Sequence, residues 1–119
     1  TDDFKAMYEE VDKHVFDKPV IEKLKEPENS QMVSGYTVQK RDIDTNHHVN
    51  NLIYLDLAYE VLPDDIFFNT DFKNVEIMYK HEAKLGETLN LFYAEINNST
   101  FITIKNNESD KLHCIIKLY

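Results

Sequence analysis

The apolar positions of this chain follow two rhythms. Between 33 and 40, "VSGYTVQK" alternates, with Val33, Gly35 and Thr37 on one face and Ser34, Tyr36 and Val38 on the other, which predicts a strand. Between 50 and 63, "NNLIYLDLAYEVLP" is apolar in nearly every direction around a helix; only Asp56 and Glu60, on one side, interrupt it. A helix of that kind is wrapped by other elements. Its expected N-cap is Asn50 or Asn51 and its expected end is Pro63, a span of roughly three to four turns. Beyond it, "VEIMYKHEAK", "TLNLFYAEIN", "TFITIKNN" and "KLHCIIKLY" read as four β-rich segments separated by "LGE", "NNS" and "NESD". They predict a four-strand antiparallel meander. At the start of the chain, Phe4, Tyr8, Val11 and Val15 recur at helical spacing behind Asp2 and Asp3, predicting a helix over 2–16 that Pro19 stops. Residues 17–31 then form a charged connector with Val20, Ile21 and Leu24 as anchors.

Strand, enclosed helix and antiparallel sheet make an α+β domain. A long helix held against one curved sheet is the geometry called a hotdog. At 119 residues with 42% hydrophobic content, the chain is one domain's worth and wholesale disorder is excluded. The formal charge of -9 excludes nucleic acid as a partner, since phosphates would be repelled. Lys40, Arg41, Lys80 and Lys84 are candidates for a local basic patch, or for an ordinary solvated face. Cys114 is the only cysteine, so no internal disulfide forms, and a reduced, cytoplasmic setting is expected. No apolar run reaches the ~20 residues needed to cross a bilayer, so no membrane role is expected. Because the chain opens on Thr1 and runs straight into an amphipathic segment, it reads as a piece of a longer polypeptide.

The polar cluster "RDIDTNHHVNN", at 41–51, stands at the mouth of the apolar helix. Its run Asp44-Thr45-Asn46-His47-His48-Val49-Asn50-Asn51, followed by Tyr54, resembles the "D-x-N-x-H-V-N-N-x-x-Y" signature of acyl-acyl carrier protein thioesterases. The similarity continues through "YKHEAKLGE", where Glu82 falls at the family's further catalytic carboxylate, and it covers most of 33–97. The resemblance implies a catalytic set of Asp44, Asn46, His48 and Glu82. It also implies two tandem hotdogs, this chain being the second, with 1–31 as linker helix and connector and 32–119 as the catalytic domain. The implied substrate is acyl carrier protein bearing a phosphopantetheine-linked acyl chain, released as free fatty acid to end fatty acid biosynthesis. The implied partner is the missing amino-terminal half, or a second copy in a homodimer. Ala83 stands where plant members carry a cysteine after the glutamate, so a Cys–His nucleophile is excluded there, and Cys114 lies in the wrong element to replace it.

Physical chemistry supports that assignment independently. Thioester hydrolysis needs an attacking water or carboxylate, a proton acceptor, and donors for the developing oxyanion. His48, with an ordinary pKa of about 6.5, is the natural base. Glu82 orients the ring or shares the water, Asp44 either attacks directly or anchors charge, and Asn46 orients the carbonyl. The helix amino end, at Val49, Asn50 and Asn51, offers free N–H groups and a positive dipole. Each residue also has a plainer reading: Asp44 and Asn46 as turn builders, Asn50 as a cap, His48 as a loop histidine, Glu82 as an exposed strand carboxylate. A metal site from Asp44, His47, His48 and Glu82 is disfavoured because adjacent loop histidines seldom face one ion, and no cofactor is called for. His14, His81 and His113 have no partner in the pattern. Rival readings are an acyl-CoA hydrolase, which would bind the same phosphopantetheine arm, and a non-catalytic acyl-binding or dimerisation domain. A hotdog hydratase is disfavoured, because Val49 stands where its histidine would fall.

Overall fold

The computed structural model describes residues 24–45 and 47–119. The helix expected over 2–16, the first part of the connector and Asn46 lie outside the described residues. Among the described residues five strands form a single sheet: β1 (Gln31–Thr37), β2 (Val75–Tyr79), β3 (Thr88–Ile96), β4 (Ser99–Asn106) and β5 (Leu112–Leu118). Their spatial order is β1-β3-β4-β5-β2, every pairing antiparallel. The β3–β4 hairpin pairs Ile96 with Ser99 across Asn97 and Asn98, whose φ values of 50° and 67° are left-handed. Two positive φ angles in succession make the turn whose twist matches the flanking strands, and asparagine tolerates them.

Only β3, β4 and β5 form a meander, so the expected four-strand meander is corrected. β2 pairs with β5 at the far edge, register Met78↔Ile115, and the chain must pass the ends of β5 and β4 to reach β3. Alternating hydrophobicity reports which residues face inward, not which strand lies alongside. β1 starts two positions earlier than expected and ends at Thr37; a register shift between Met32 and Ser34 breaks its alternation. Tyr36 is half-buried and Val38 buried, while the rest of β1 is an exposed edge.

Helix α1 (Leu52–Glu60) crosses one face of the sheet. Asn51 is its N-cap, one of the two expected, and the Asn50 Oδ1 accepts the Leu52 N–H at 2.9 Å; the helix is shorter than expected at its other end, where Val61 is the C-cap. Tyr54, Leu55, Leu57 and Ala58 are buried against Leu89, Leu91, Ile102, Ile104, Cys114, Ile116 and Leu118, while Asp56 and Glu60 face solvent as expected. Pro63 ends α1 and also opens a short second helix, α2 (Asp64–Asn69), with Asp64 and Asp65 favourably placed in its first turn. The sequence signal for α2 was that Pro-Asp-Asp start. On the other face of the sheet, residues 24–29 lie over Ala94, Ile96, Phe101 and Lys117, and Glu26 pairs with Lys105. Ile115 and Thr103 are fully buried as well. Among the described residues no helix is long and apolar enough to cross a membrane.

Leu55 is 0% exposed at the helix–sheet contact. Leu55→Ala is expected to cost about 3 kcal/mol in denaturant unfolding, from lost transfer energy and an unfilled cavity. Phe68→Ala, at a position 75% exposed, should change stability by about 0.5 kcal/mol or less.

Candidate active site

One end of the sheet collects every segment that matters. β1 ends there opposite the start of β3 (Thr37↔Thr88), β4 ends opposite that same start (Leu89↔Asn106), and β2 ends opposite the start of β5 (Tyr79↔Cys114). The loop leading into α1 and the irregular segment 80–87 both emerge at this end, so residues far apart in the chain meet.

The loop is built on two aspartates. Asp42 is buried; its Oδ2 accepts the Tyr36 hydroxyl at 2.6 Å and the Gln39 N–H at 2.9 Å, and its carbonyl accepts the Asn50 N–H at 2.8 Å. Asp44 closes the tip: its N–H donates to the His48 carbonyl at 2.8 Å, and its carbonyl accepts from His47 at 3.0 Å. Its side-chain Oδ1 accepts the His48 N–H at 3.1 Å. His47 turns the chain at φ 65°. That is a left-handed conformation more often taken by asparagine or glycine. An isolated bridge between Ile43 and Val49 shuts the base of the loop.

Glu82 arrives from the other segment. His48 Nδ1 lies 2.8 Å from each carboxylate oxygen, and the Val49 N–H donates to Oε1 at 3.0 Å. A carboxylate facing these groups only accepts, so Nδ1 carries the hydrogen and the Nε2 lone pair of the neutral ring is left to act as a base. His48 is held above its ordinary pKa of 6.5, first by the Glu82 hydrogen bond and then by the Glu82 charge, with desolvation opposing and the Asp44 charge adding least. Glu82 is not in a strand, contrary to the expectation that it arrives on one, because β2 stops at Tyr79. It is set instead by its neighbour: the Ala83 N–H donates to the buried Tyr54 hydroxyl at 3.0 Å. Burial pushes the Tyr54 phenol up to about 12, so it stays a neutral anchor.

Asp44, His48 and Glu82 are thus brought together, and Asn46 lies outside the described residues. The expectation for the helix amino end changes for two of its three amides: Val49 N–H is committed to Glu82 and Asn50 N–H to Asp42. Among the described residues, the Asn51 N–H at the start of α1 has no acceptor. Of the two adjacent histidines, His48 is the imidazole bonded to the Glu82 carboxylate. Cys114 is 0% exposed and burial pushes its thiol up, which removes it as a nucleophile. Among the described residues no group of three or more His, Cys, Asp and Glu is arranged to hold a metal ion. Sequence reasoning missed Asp42, the Ala83–Tyr54 bond, and a buried pair between His113 and Glu87; each depends on tertiary contact.

Fold and site together define a hotdog domain with an imidazole–carboxylate pair at the mouth of its central helix. Residues 24–118 match the family described as the acyl-ACP thioesterase C-terminal domain, and the chain belongs to that family. It is 32% identical over 68 residues to a chloroplastic dodecanoyl-[acyl-carrier-protein] hydrolase of Cinnamomum camphora, covering 57% of this chain and 18% of that protein. Among solved structures, an acyl-ACP thioesterase from Bacteroides thetaiotaomicron superposes with TM-score 0.67 at 26% identity, covering 80% of this chain and 41% of that one. The 12:0-ACP thioesterase of Umbellularia californica superposes with TM-score 0.73 at 22% identity, over 82% of this chain and 38% of that one, which is a likeness of fold. The chain spans less than a third of the curated relatives it matches, at most 29% of their length.

An NMR titration of the His48 ring is expected to give a midpoint above 6.5, and Glu82→Gln should lower it towards 6.5. The sign for stability follows: a histidine raised in the folded state stabilises fully below 6.5, and the contribution is lost as pH rises through the folded value.

Proposed function

We propose that the domain hydrolyses the thioester of a fatty acyl-acyl carrier protein, releasing free fatty acid. The observation that carries this reading is the His48–Glu82 contact within a domain of this family. Glu82 holds the Nδ1–H, so Nε2 of the neutral ring takes a proton from water as that water attacks the thioester carbonyl. The Asn51 N–H and the positive end of α1 face the developing oxyanion, a contribution of roughly 3 kcal/mol per well-placed donor. Asp44, whose Oδ1 already closes the loop on His48, acts as an electrostatic anchor rather than as a nucleophile. Asn46 orients the carbonyl.

The substrate would be presented on a phosphopantetheine arm by acyl carrier protein. The catalytic domain would run over 32–119, behind a linker in 1–31, in a reducing and cytoplasmic compartment. The acyl chain would be enclosed with a second hotdog, either an amino-terminal half or another copy. Two features support a missing neighbour: Met32 and Val33 are 54% and 49% exposed on edge strand β1, and the relatives are several times longer.

The full-length protein is expected to cleave an acyl group from carrier protein faster than from CoA. His48→Ala and Glu82→Ala should each lower kcat by ~100- to 10,000-fold. Asp44→Asn, which can still accept the His48 N–H, should lose less than either. Preference for CoA would replace the carrier assignment, and near wild-type rates for both His48→Ala and Glu82→Ala would end the catalytic one.

A further inference from the structure

Segment 80–87 carries Glu82, yet it has no place in the sheet's ladder, so something other than strand pairing must fix it. His113, on β5 and with a side chain 2% exposed, is bonded to both ends of this segment. Its Nδ1 lies 2.8 Å from the His81 carbonyl, one residue before Glu82, and its Nε2 meets the Glu87 carboxylate. A carbonyl only accepts, so Nδ1–H donates to it, and Nε2–H donates to the carboxylate. Glu87 is in turn held from three sides: Oε2 also accepts the Asn106 amide at 2.7 Å, and Oε1 accepts the Lys84 N–H at 3.0 Å. Burial pushes the Glu87 carboxyl up, but the Asn106, Lys84 and His113 bonds outweigh it and leave the group below its ordinary range, an anion facing the ring. The main chain reinforces the clamp, since Lys80 and His81 N–H both donate to the His113 carbonyl, at 2.8 and 3.3 Å.

We infer that His113 is a positioning residue for the active site: by holding His81 and Glu87 with its two ring nitrogens, it sets Glu82 within reach of His48. The argument rests on the His48–Glu82 pair acting as proposed above. Glu82 sits between the His81 carbonyl, tied to His113, and the Ala83 N–H, tied to Tyr54. The peptide on either side of Glu82 is therefore fixed from the core, and the carboxylate has little freedom to swing away. A merely structural histidine at this place would stabilise β5 without affecting the state of His48.

The test reads the His48 ring directly. In full-length protein labelled at histidine, His48 is titrated by NMR in wild type, Glu82→Gln, His113→Leu, His113→Asn and Glu87→Gln, with a spectrum of each variant confirming that it is folded. His113→Leu should lower the His48 midpoint in the same direction as Glu82→Gln and reduce kcat about 10- to 100-fold with little change in KM. His113→Asn, which keeps a donor near the Nδ1 position, should restore most of both. Glu87→Gln serves where the leucine variant fails to fold, and should shift His48 in the same direction by less. An unchanged His48 midpoint and kcat in folded His113→Leu or Glu87→Gln, beside a clear shift in Glu82→Gln, would overturn the role of His113 alone. No shift in Glu82→Gln would overturn the His48–Glu82 pair and this inference with it.

Discussion

The carboxylate of Glu82 accepts from the His48 ring and from the Val49 main chain at once, and the arrangement of this end of the molecule depends on that double acceptance. The two segments it joins are 34 residues apart, so closing them costs chain entropy that the contact alone would not recover. The sheet supplies the difference. By ending β1, β2 and β4 and beginning β3 and β5 at one end, it delivers both loops to the same place. The hydrogen bonds select one geometry from the few that this placement leaves.

What the site asks of its surroundings is rigidity in chain that has no regular structure. On the His48 side, Asp42 and Asp44 supply it, one buried beneath Tyr36 and the other folded back on the loop tip. On the Glu82 side, Tyr54 and the His113–Glu87 pair supply it from α1 and β5. These anchors reach into the core cluster through Tyr54 and its neighbours Leu55 and Ala58. Packing of the helix against the sheet and placement of the carboxylate are therefore linked through one side chain, whose hydroxyl is the acceptor for Ala83.

Much of this was legible in the sequence, and the limits are physical. The all-round apolar character of 52–62 announced an enclosed helix and period-two segments announced the sheet, so an α+β domain could be read from the pattern, while the hotdog rested also on the family resemblance. Strand order could not: β2 has the same alternation whether it lies beside β3 or β5. The helix start was legible, with Asn51 as its cap, but its end was not: the apolar run continues through Val61 and Leu62 after the helix has closed at Glu60. At the site, His48 and Glu82 could be nominated from a resemblance, but the commitment of the Val49 and Asn50 amides could not, since it depends on which acceptors the fold brings near. His113 looked partnerless because Glu87 was read as part of a turn; only the passage of 80–87 across the sheet end joins them.

The central claim is that His48 and Glu82 work as one unit, and a double-mutant cycle on thioester hydrolysis tests it most directly. With kcat measured for His48→Ala, Glu82→Ala and the double variant of the full-length protein, the double variant should be about as slow as the slower single one. Losses that multiply would mean that the two groups act independently, and would contradict the account.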